Sequence, residues 1–180
     1  MADKKEVIDK VEEALAKRLV EQYRDTLYLS TGIPLEVLEA DTGIPAPIID
    51  RTVKHYMKTR GLHRVRCTRK SRRGICIAYK DDSIALERIG RYIPWFPIKV
   101  REFKETLVHI LQCRKDTIRI LKTCSLTRDE IRSLMLKLAV LIDELGLDEE
   151  LIVSKYRIKP GNLVDRNGVP YSREGVISSE

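Results

Sequence analysis

Residues 35–62 read LEVLEADTGIPAPIIDRTVKHYMKTRGL, and this stretch decides the fold of the first half of the chain. It contains two helical patterns, over about residues 34–41 and 45–59, each of which begins at a proline. Gly43 lies between them, and glycine readily adopts the left-handed backbone conformation that ends helices. The stretch therefore predicts two helices joined by a tight turn.

The segments on either side of this stretch complete the expected domain. Apolar residues recur every three or four positions over residues 4–28, which predicts an amphipathic helix that Ser30-Thr31-Gly32 ends. Two alternating segments, residues 62–68 and 75–80, flank a basic tip that ends in a glycine. Short alternating segments around such a turn predict a β-hairpin.

Two registers are open to this hairpin. The register that separates apolar from polar side chains better puts these residues on one face: Val65, Cys67, Ile75, Ile77 and Tyr79. Cys67 and Cys76 share a face only in the other register. Thermophiles do form disulfides inside cells, but we expect these two cysteines, with Cys113 and Cys124, to be small core residues instead.

Positive charge is concentrated in one segment of the chain. Residues 44–80 carry 11 basic side chains and a single acidic one, Asp50, whereas the net charge of the whole chain is only +7. Such a concentration is the electrostatic footprint of a protein that binds polyanions. An ordinary solvated surface is the alternative reading of the same charges.

The order of helix, short helix, Thr-Gly turn, third helix and basic hairpin resembles the winged helix-turn-helix family, over roughly residues 8–82. Bacterial and archaeal regulators of that family carry a comparable string: a Leu-rich second helix, Thr-Gly-Ile-Pro, a helix with a central arginine, and a closing Arg-Gly-Leu. The resemblance implies that helix 45–59 enters the major groove of double-stranded DNA. It also implies that the hairpin 62–80 is a wing that contacts the DNA backbone or the adjacent minor groove.

The exposed face of helix 45–59 and the wing tip supply the candidate DNA-contacting residues. They are Ala46, Pro47, Asp50, Arg51, Lys54, His55 and Lys58 on the helix, and Arg69, Lys70, Ser71, Arg72 and Arg73 at the tip. We expect Arg51 to pair with a guanine, and Lys54 and Lys58 to contact phosphates. Ala46 and Pro47 are expected to contact a thymine methyl group. Asp50 either accepts from a cytosine amino group or holds Arg51 in position.

The second half of the sequence predicts further helices, over residues 84–93, 98–124, 127–145 and 148–156. Ser83 is the expected cap of the first, and Thr127 with Glu130 forms a capping box for the third, which Gly146 ends. The predicted helix 127–145 is apolar nearly all round, so more than one of its sides should be buried. Either a second copy of the chain covers the remaining side, which makes a homodimer, or the first domain does.

These patterns predict a mainly α fold with a small β-hairpin, in which a helical hairpin follows the N-terminal winged helix-turn-helix. The expected regions are residues 1–82 for the winged domain, 83–156 for helical dimerisation or assembly, and 157–180 for an extended tail.

Several classes of protein are disfavoured by the sequence. The longest apolar run, residues 134–142, is too short for the roughly 20 residues that cross a bilayer, and no signal peptide pattern begins the chain, so we expect a cytoplasmic protein. No nucleotide-binding fingerprint, catalytic motif or zinc-ligand spacing is present, and we expect neither an enzyme nor a bound cofactor or metal. Few amides with abundant Glu, Lys and Arg indicate a thermophilic or archaeal origin, viruses included.

The sequence therefore predicts a sequence-specific DNA-binding transcription regulator that is homodimeric through its C-terminal helices. The alternative is an assembly nucleoprotein of nucleoid, partition, viral or polymerase-associated type. Its winged helix would contact a protein partner, such as a polymerase, or nonspecific nucleic acid.

Overall fold

A computed structural model of the chain describes residues 3–67, 74–114, 126–156, 164 and 167–168, with only the backbone described for 112–114. The expected wing tip, the end of the predicted helix 98–124 and most of the tail lie outside these residues. The chain divides into two compact units, residues 1–97 and 98–180. The described fold is mainly helical with a small antiparallel sheet, as the sequence predicts.

Except for one short strand, the elements of the first unit begin and end close to the predicted positions. They are α1 (Lys4–Thr26), β1 (Ile33–Pro34), α2 (Leu35–Thr42), α3 (Ala46–Arg60), β2 (Leu62–Arg66), β3 (Ile75–Tyr79) and α4 (Asp82–Gly90). The later helices are α5 (Trp95–Arg114), α6 (Arg128–Leu145) and α7 (Glu149–Tyr156). In the described part of the chain, no helix is long and apolar enough to cross a membrane.

The core of the first unit forms around α1, which packs on α2, α3 and α4. The apolar stripe of α1 is buried as its spacing predicts, with Ile8, Leu15 and Leu19 fully inaccessible to solvent. Leu38 of α2 and Val53 of α3 are equally inaccessible. Burial of each such side chain stabilises the fold by roughly 1.5–3 kcal/mol before conformational entropy is counted.

The end of α1 differs from the prediction. The helix ends at Thr26, and Leu27 rather than the Ser-Thr-Gly segment closes it, in the left-handed conformation with φ 58°. The Leu27 amide donates a hydrogen bond of 3.0 Å to the carbonyl oxygen of Tyr23. Leu27 is 2% exposed, so burial of its side chain offsets the backbone strain of a non-glycine residue in that region.

The sheet has the order β1-β3-β2, and β1 was not predicted. Ile33 of β1 pairs with Ile77, and Pro34 pairs with Cys76. A two-residue strand that contains a proline is too short to show alternation in the sequence. Its presence makes β3 the central strand of the sheet.

The predicted hairpin register is wrong. Val65 pairs with Cys76 and Arg64 pairs with Ile77, so Cys67 and Cys76 lie on the same face of the sheet. The prediction assumed one solvated face, but the central strand β3 is buried on both faces, from Cys76 through Tyr79. Separation of apolar from polar side chains therefore carries no information on the register here.

Gly61 ends α3 with a φ of 62°, close to the predicted end of this helix at about residue 59. A Cβ on this residue would lie 2.6 Å from Cγ2 of Ile84 in α4, so the position requires glycine for space as well as for conformation. The predicted cap of α4 is wrong: the Asp81 side chain, and not Ser83, accepts the amide of Ile84 at 2.8 Å.

In the second unit, the capping box predicted at the start of α6 is confirmed. The Thr127 side chain accepts the Glu130 amide, the Glu130 side chain accepts the Thr127 amide, and Gly146 ends the helix as expected. One stripe of α6 is buried, and it comprises Met135, Leu138, Ala139, Leu141, Ile142 and Leu145. The described part of the predicted helix at 148–156 is α7.

Candidate nucleic-acid interface

Helix α3 separates into a buried side and a solvent-exposed side. Ile49, Thr52 and Val53 are buried, which fixes the rotation of the helix on the unit. The predicted contact residues Pro47, Arg51, Lys54, His55 and Lys58 are exposed, while Ala46 and Asp50 are half-buried. The structure thus brings most of the helical candidates to one accessible face that carries three cations of Lys and Arg.

Asp50 does not hold Arg51. Its Oδ1 accepts from Nε of Arg64 at 2.5 Å, and its Oδ2 accepts from Nη2 of the same side chain at 3.2 Å. Nζ of Lys54 lies 3.2 Å from Oδ2. Burial by itself raises the pKa of Asp50, but the bonds from Arg64 and Lys54 outweigh that effect, so the pKa lies below its ordinary value. Asp50 therefore links α3 to β2 and neutralises part of the charge of Lys54.

Asp50 neutralises part of the charge of Lys54, whereas Arg51 and Lys58 have no such carboxylate partner in the described part of the chain. Both side chains are exposed, and among residues 3–67, 74–111 and 126–156 no carboxylate pairs with either of them. The ring of His55 packs edge-on against Tyr56, with 4.9 Å between ring centroids. Arg51 therefore presents a guanidinium whose donors are available to a ligand, in the middle of the exposed face.

Ile48 belongs to the same face but was not among the predicted contact residues. It is 46% exposed, which is unusual for a β-branched aliphatic side chain on a face of cations. Ile48 lies one helical turn before Arg51, so the two side chains are neighbours on the helix surface. The burial of Ile49, Thr52 and Val53 sets the rotation of α3 that places Ile48 outside.

The C-terminal end of α3 is anchored through a buried carboxylate. Glu12 of α1 is 0% exposed and accepts from Arg60 Nη1 at 2.8 Å, from Arg88 Nε at 2.8 Å and Nη2 at 2.6 Å, and from Tyr79 Oη at 2.9 Å. Arg60 also contacts Asp9 at 3.1 Å. These bonds connect α1, α3, β3 and α4, so they fix the position of the exposed face on the unit.

The charges of this cluster stabilise one another. Burial, and then the neighbouring Glu12 carboxylate, raise the pKa of the Tyr79 hydroxyl, which keeps it protonated as a donor. The hydrogen bond to Glu12 raises the pKa of Arg88. The sequence does contain a signal for this site: Glu12 occupies a position between Ile8 and Leu15 on the apolar stripe of α1.

The base of the expected wing is cross-linked. Cys67 and Cys76 form a disulfide with 5.4 Å between their Cα atoms, so the expectation that both are unbonded core residues is wrong. The amide of Cys67 donates to the carbonyl oxygen of Gly74 at 3.0 Å, which continues the hairpin pairing beyond β2. Cys124 and the side chain of Cys113 lie outside the described residues.

The basic tip of the hairpin is not part of the described structure. The candidates Arg69, Lys70, Ser71, Arg72 and Arg73 fall in residues 68–73, so their roles remain predictions from the sequence. Comparisons of the chain with protein-family models, with curated proteins and with solved structures find no match.

Proposed function

We propose that the chain is a sequence-specific DNA-binding transcription regulator, with a winged helix-turn-helix in its first unit. In this proposal α3 enters the major groove and the hairpin β2–β3 is the wing. The observation that carries it is the exposed, cationic face of α3, centred on Arg51 and held in place by the Asp50–Arg64 and Glu12–Arg60 ion pairs. A rigid helix with unpaired donors on its outer face suits recognition of base edges.

The residues of that face have different roles in the proposal. Arg51 donates two hydrogen bonds to O6 and N7 of a guanine, the pairing that matches the fork of a guanidinium. Ile48, one turn earlier, contacts the methyl group of an adjacent thymine. Lys58 and the wing tip meet phosphates, which position the domain without reading sequence.

A homodimer formed by the second unit is part of the same proposal. Leu136 and Val140 lie one turn apart on α6 and are 37% and 40% exposed. They lie outside the buried stripe of that helix, so they provide an apolar face for a second copy of the chain. Two recognition helices one DNA turn apart would then read a pseudo-palindromic site.

The test is a selection from random duplexes with the purified protein at about 0.15 M salt, followed by sequencing. An enriched inverted repeat supports specific binding and the dimer together, whereas an enriched single half-site supports specific binding by a monomer. If no motif is enriched and binding disappears as salt rises, the regulator proposal fails. A nucleoprotein or polymerase-associated assembly role then becomes the better account.

Two variants separate base reading from phosphate contact. Arg51→Ala is expected to lose about 1–3 kcal/mol of discrimination at one or two base pairs of the selected site. Replacement of Arg72 and Arg73 by alanine is expected to weaken all DNA similarly and to lower the salt dependence of binding. Equal, sequence-independent losses in both variants would contradict the assignment of base reading to α3.

A further inference from the structure

A cleft of about 540 Å³ lies between the C-terminal half of α1 and the base of the hairpin. Residues of α1 form one wall, and the loop 30–32 with β1 forms the floor. Val65, Arg66 and the Cys67–Cys76 disulfide form the opposite side. The volume suits a small organic molecule, and the cleft lies apart from the exposed face of α3.

The floor of the cleft is held by a close approach of the backbone. A Cβ on Gly32 would lie 2.6 Å from Cβ of Cys76 and 2.9 Å from Cγ2 of Val65, so only glycine lets the loop rest on the hairpin here. The disulfide joins the two hairpin strands at the same place. The wall and floor are therefore fixed before any ligand binds, which lowers the entropic cost of binding.

The α1 wall offers hydrogen-bond acceptors. The side-chain oxygen Oε1 of Gln22 is buried, and none of the described residues donates to it. A buried acceptor without a donor destabilises the fold, so a ligand that donates there relieves that cost. The carboxylates of Glu21 and Asp25 line the same wall. Each lies within four residues of Gln22 on α1.

Arg18 does not neutralise this wall fully. Its guanidinium donates to both oxygens of Asp41 at 2.7 Å each, and Oε2 of Glu21 lies 3.8 Å from its Nη1. Among the described residues, no cation forms an ion pair with Asp25. The wall thus contains a buried orphan amide oxygen beside exposed negative charge, and this combination favours a positively charged donor.

The remaining lining is aliphatic. Ile33, Pro34, Val37 and Val65 face the cleft and supply an apolar surface for a hydrocarbon chain. We propose that this cleft binds a small aliphatic primary ammonium compound, whose ammonium group donates to Oε1 of Gln22 and to the neighbouring carboxylates. Two sources share this chemistry: an aliphatic diamine, and an aliphatic amino acid whose carboxylate would meet Arg66 at the rim.

Thermal unfolding followed by the fluorescence of Trp95 tests the binding, since Trp95 is the single tryptophan and belongs to the first unit. The probes are leucine and 1,5-diaminopentane, and the controls that lack an ammonium group are 4-methylpentanoate and 1-pentanol. At about a hundredfold excess over Kd, a bound probe is expected to raise Tm by about 5 °C or more. A shift with leucine alone identifies the amino-acid source, and a shift with the diamine alone identifies the other.

Variants locate the site. Gln22→Met keeps the length of the side chain but removes the acceptor. It is expected to weaken binding of the active probe roughly tenfold or more. Asp25→Asn removes an exposed charge from the same wall. It is expected to weaken binding of the active probe too, without a risk to the core. Glu13→Gln is the matched control, because Glu13 lies on α1 outside this cleft and its loss should leave binding unchanged.

The proposal is overturned if neither ammonium probe shifts Tm, or if the controls without an ammonium group shift it equally. It is also overturned if the shift persists in both Gln22→Met and Asp25→Asn, since the probe then binds elsewhere. The assay contains no DNA, so its failure and the failure of the proposed regulator function are distinguishable.

Discussion

Removal of the Glu12 charge is expected to destabilise the first unit more than any other single charge change discussed above. Glu12→Gln keeps the shape of the side chain but leaves Arg88, whose side chain is 8% exposed, without a counter-charge. Arg60 is less affected because Asp9 still contacts it at 3.1 Å. Loss of one partner of a buried ion pair costs about 3–5 kcal/mol, and we expect a loss in this range. The total stability of a domain is only about 5–15 kcal/mol.

Urea unfolding followed by Trp95 fluorescence measures this loss in the correct unit. The Trp95 ring lies 5.9 Å from that of Phe96, which packs against Tyr23 of α1, so its fluorescence reports the core around α1. Glu13→Gln is the control. Glu13 neighbours Glu12 in sequence, but among the described residues its one ion pair is the exposed pair with Lys17, and its loss should cost about 0.5 kcal/mol or less.

A double variant separates the charge effect from a general loss of packing. Glu12→Gln with Arg88→Met also removes the buried charge of Arg88, while the amide oxygen can still accept from the Tyr79 hydroxyl, and it is expected to recover much of the stability that Glu12→Gln alone loses. If Glu12→Gln costs less than about 1 kcal/mol, or no more than Glu13→Gln, the cluster does not anchor the helices as argued. A double variant less stable than Glu12→Gln would contradict the claim that the unpaired charge is the cause.

Three further outcomes are expected. Replacement of Cys67 and Cys76 by serine opens a loop of about ten residues and should cost about 2–3 kcal/mol in urea unfolding, and a reductant should then have no further effect. If Ile48 contacts a thymine methyl group as proposed, deoxyuridine in place of that thymine should weaken DNA binding by the native protein but not by Ile48→Ala; an equal loss in both proteins would rule out that contact. Because the folded pKa of Asp50 is lowered, its pairing contributes stability above the unfolded pKa of about 3.9 that is lost as pH falls through the folded pKa. Asp50→Asn should therefore be less stable at pH 7 and lose less stability below about pH 4, and parallel pH curves would refute this.

The helices of the first unit were predictable from the sequence because their signals are local. Periodic apolar residues mark α1, and glycines at positions 43 and 61 end α2 and α3 in the left-handed conformation that other residues adopt at a cost. In the second unit, Thr127 and Glu130 specify the start of α6, since both halves of a capping box lie within one turn of the helix. Most of the candidate face of α3 follows from the same periodicity.

The interactions between elements could not be predicted in this way. The partner of Asp50 is Arg64, 14 residues away across a turn, and not Arg51 beside it. Glu12 gathers Arg60 and Arg88 from elements far apart in sequence. Long-range pairs of this kind depend on how the helices rotate and pack, and a single sequence carries no direct record of that.

The hairpin shows this division most clearly. Its existence follows from two β-type segments around a turn, which are properties of the sequence itself. Its register was not predictable, because the central strand β3 is buried on both faces, which removes the reason to prefer an amphipathic pairing. The disulfide between Cys67 and Cys76 follows from that register. The sequence by itself thus determined the helices, two of the three strands and most of the helix ends, because these depend on neighbours in the chain. Only the tertiary structure decided the register, the cross-link and the ion pairs, because these depend on which surfaces the packing buries.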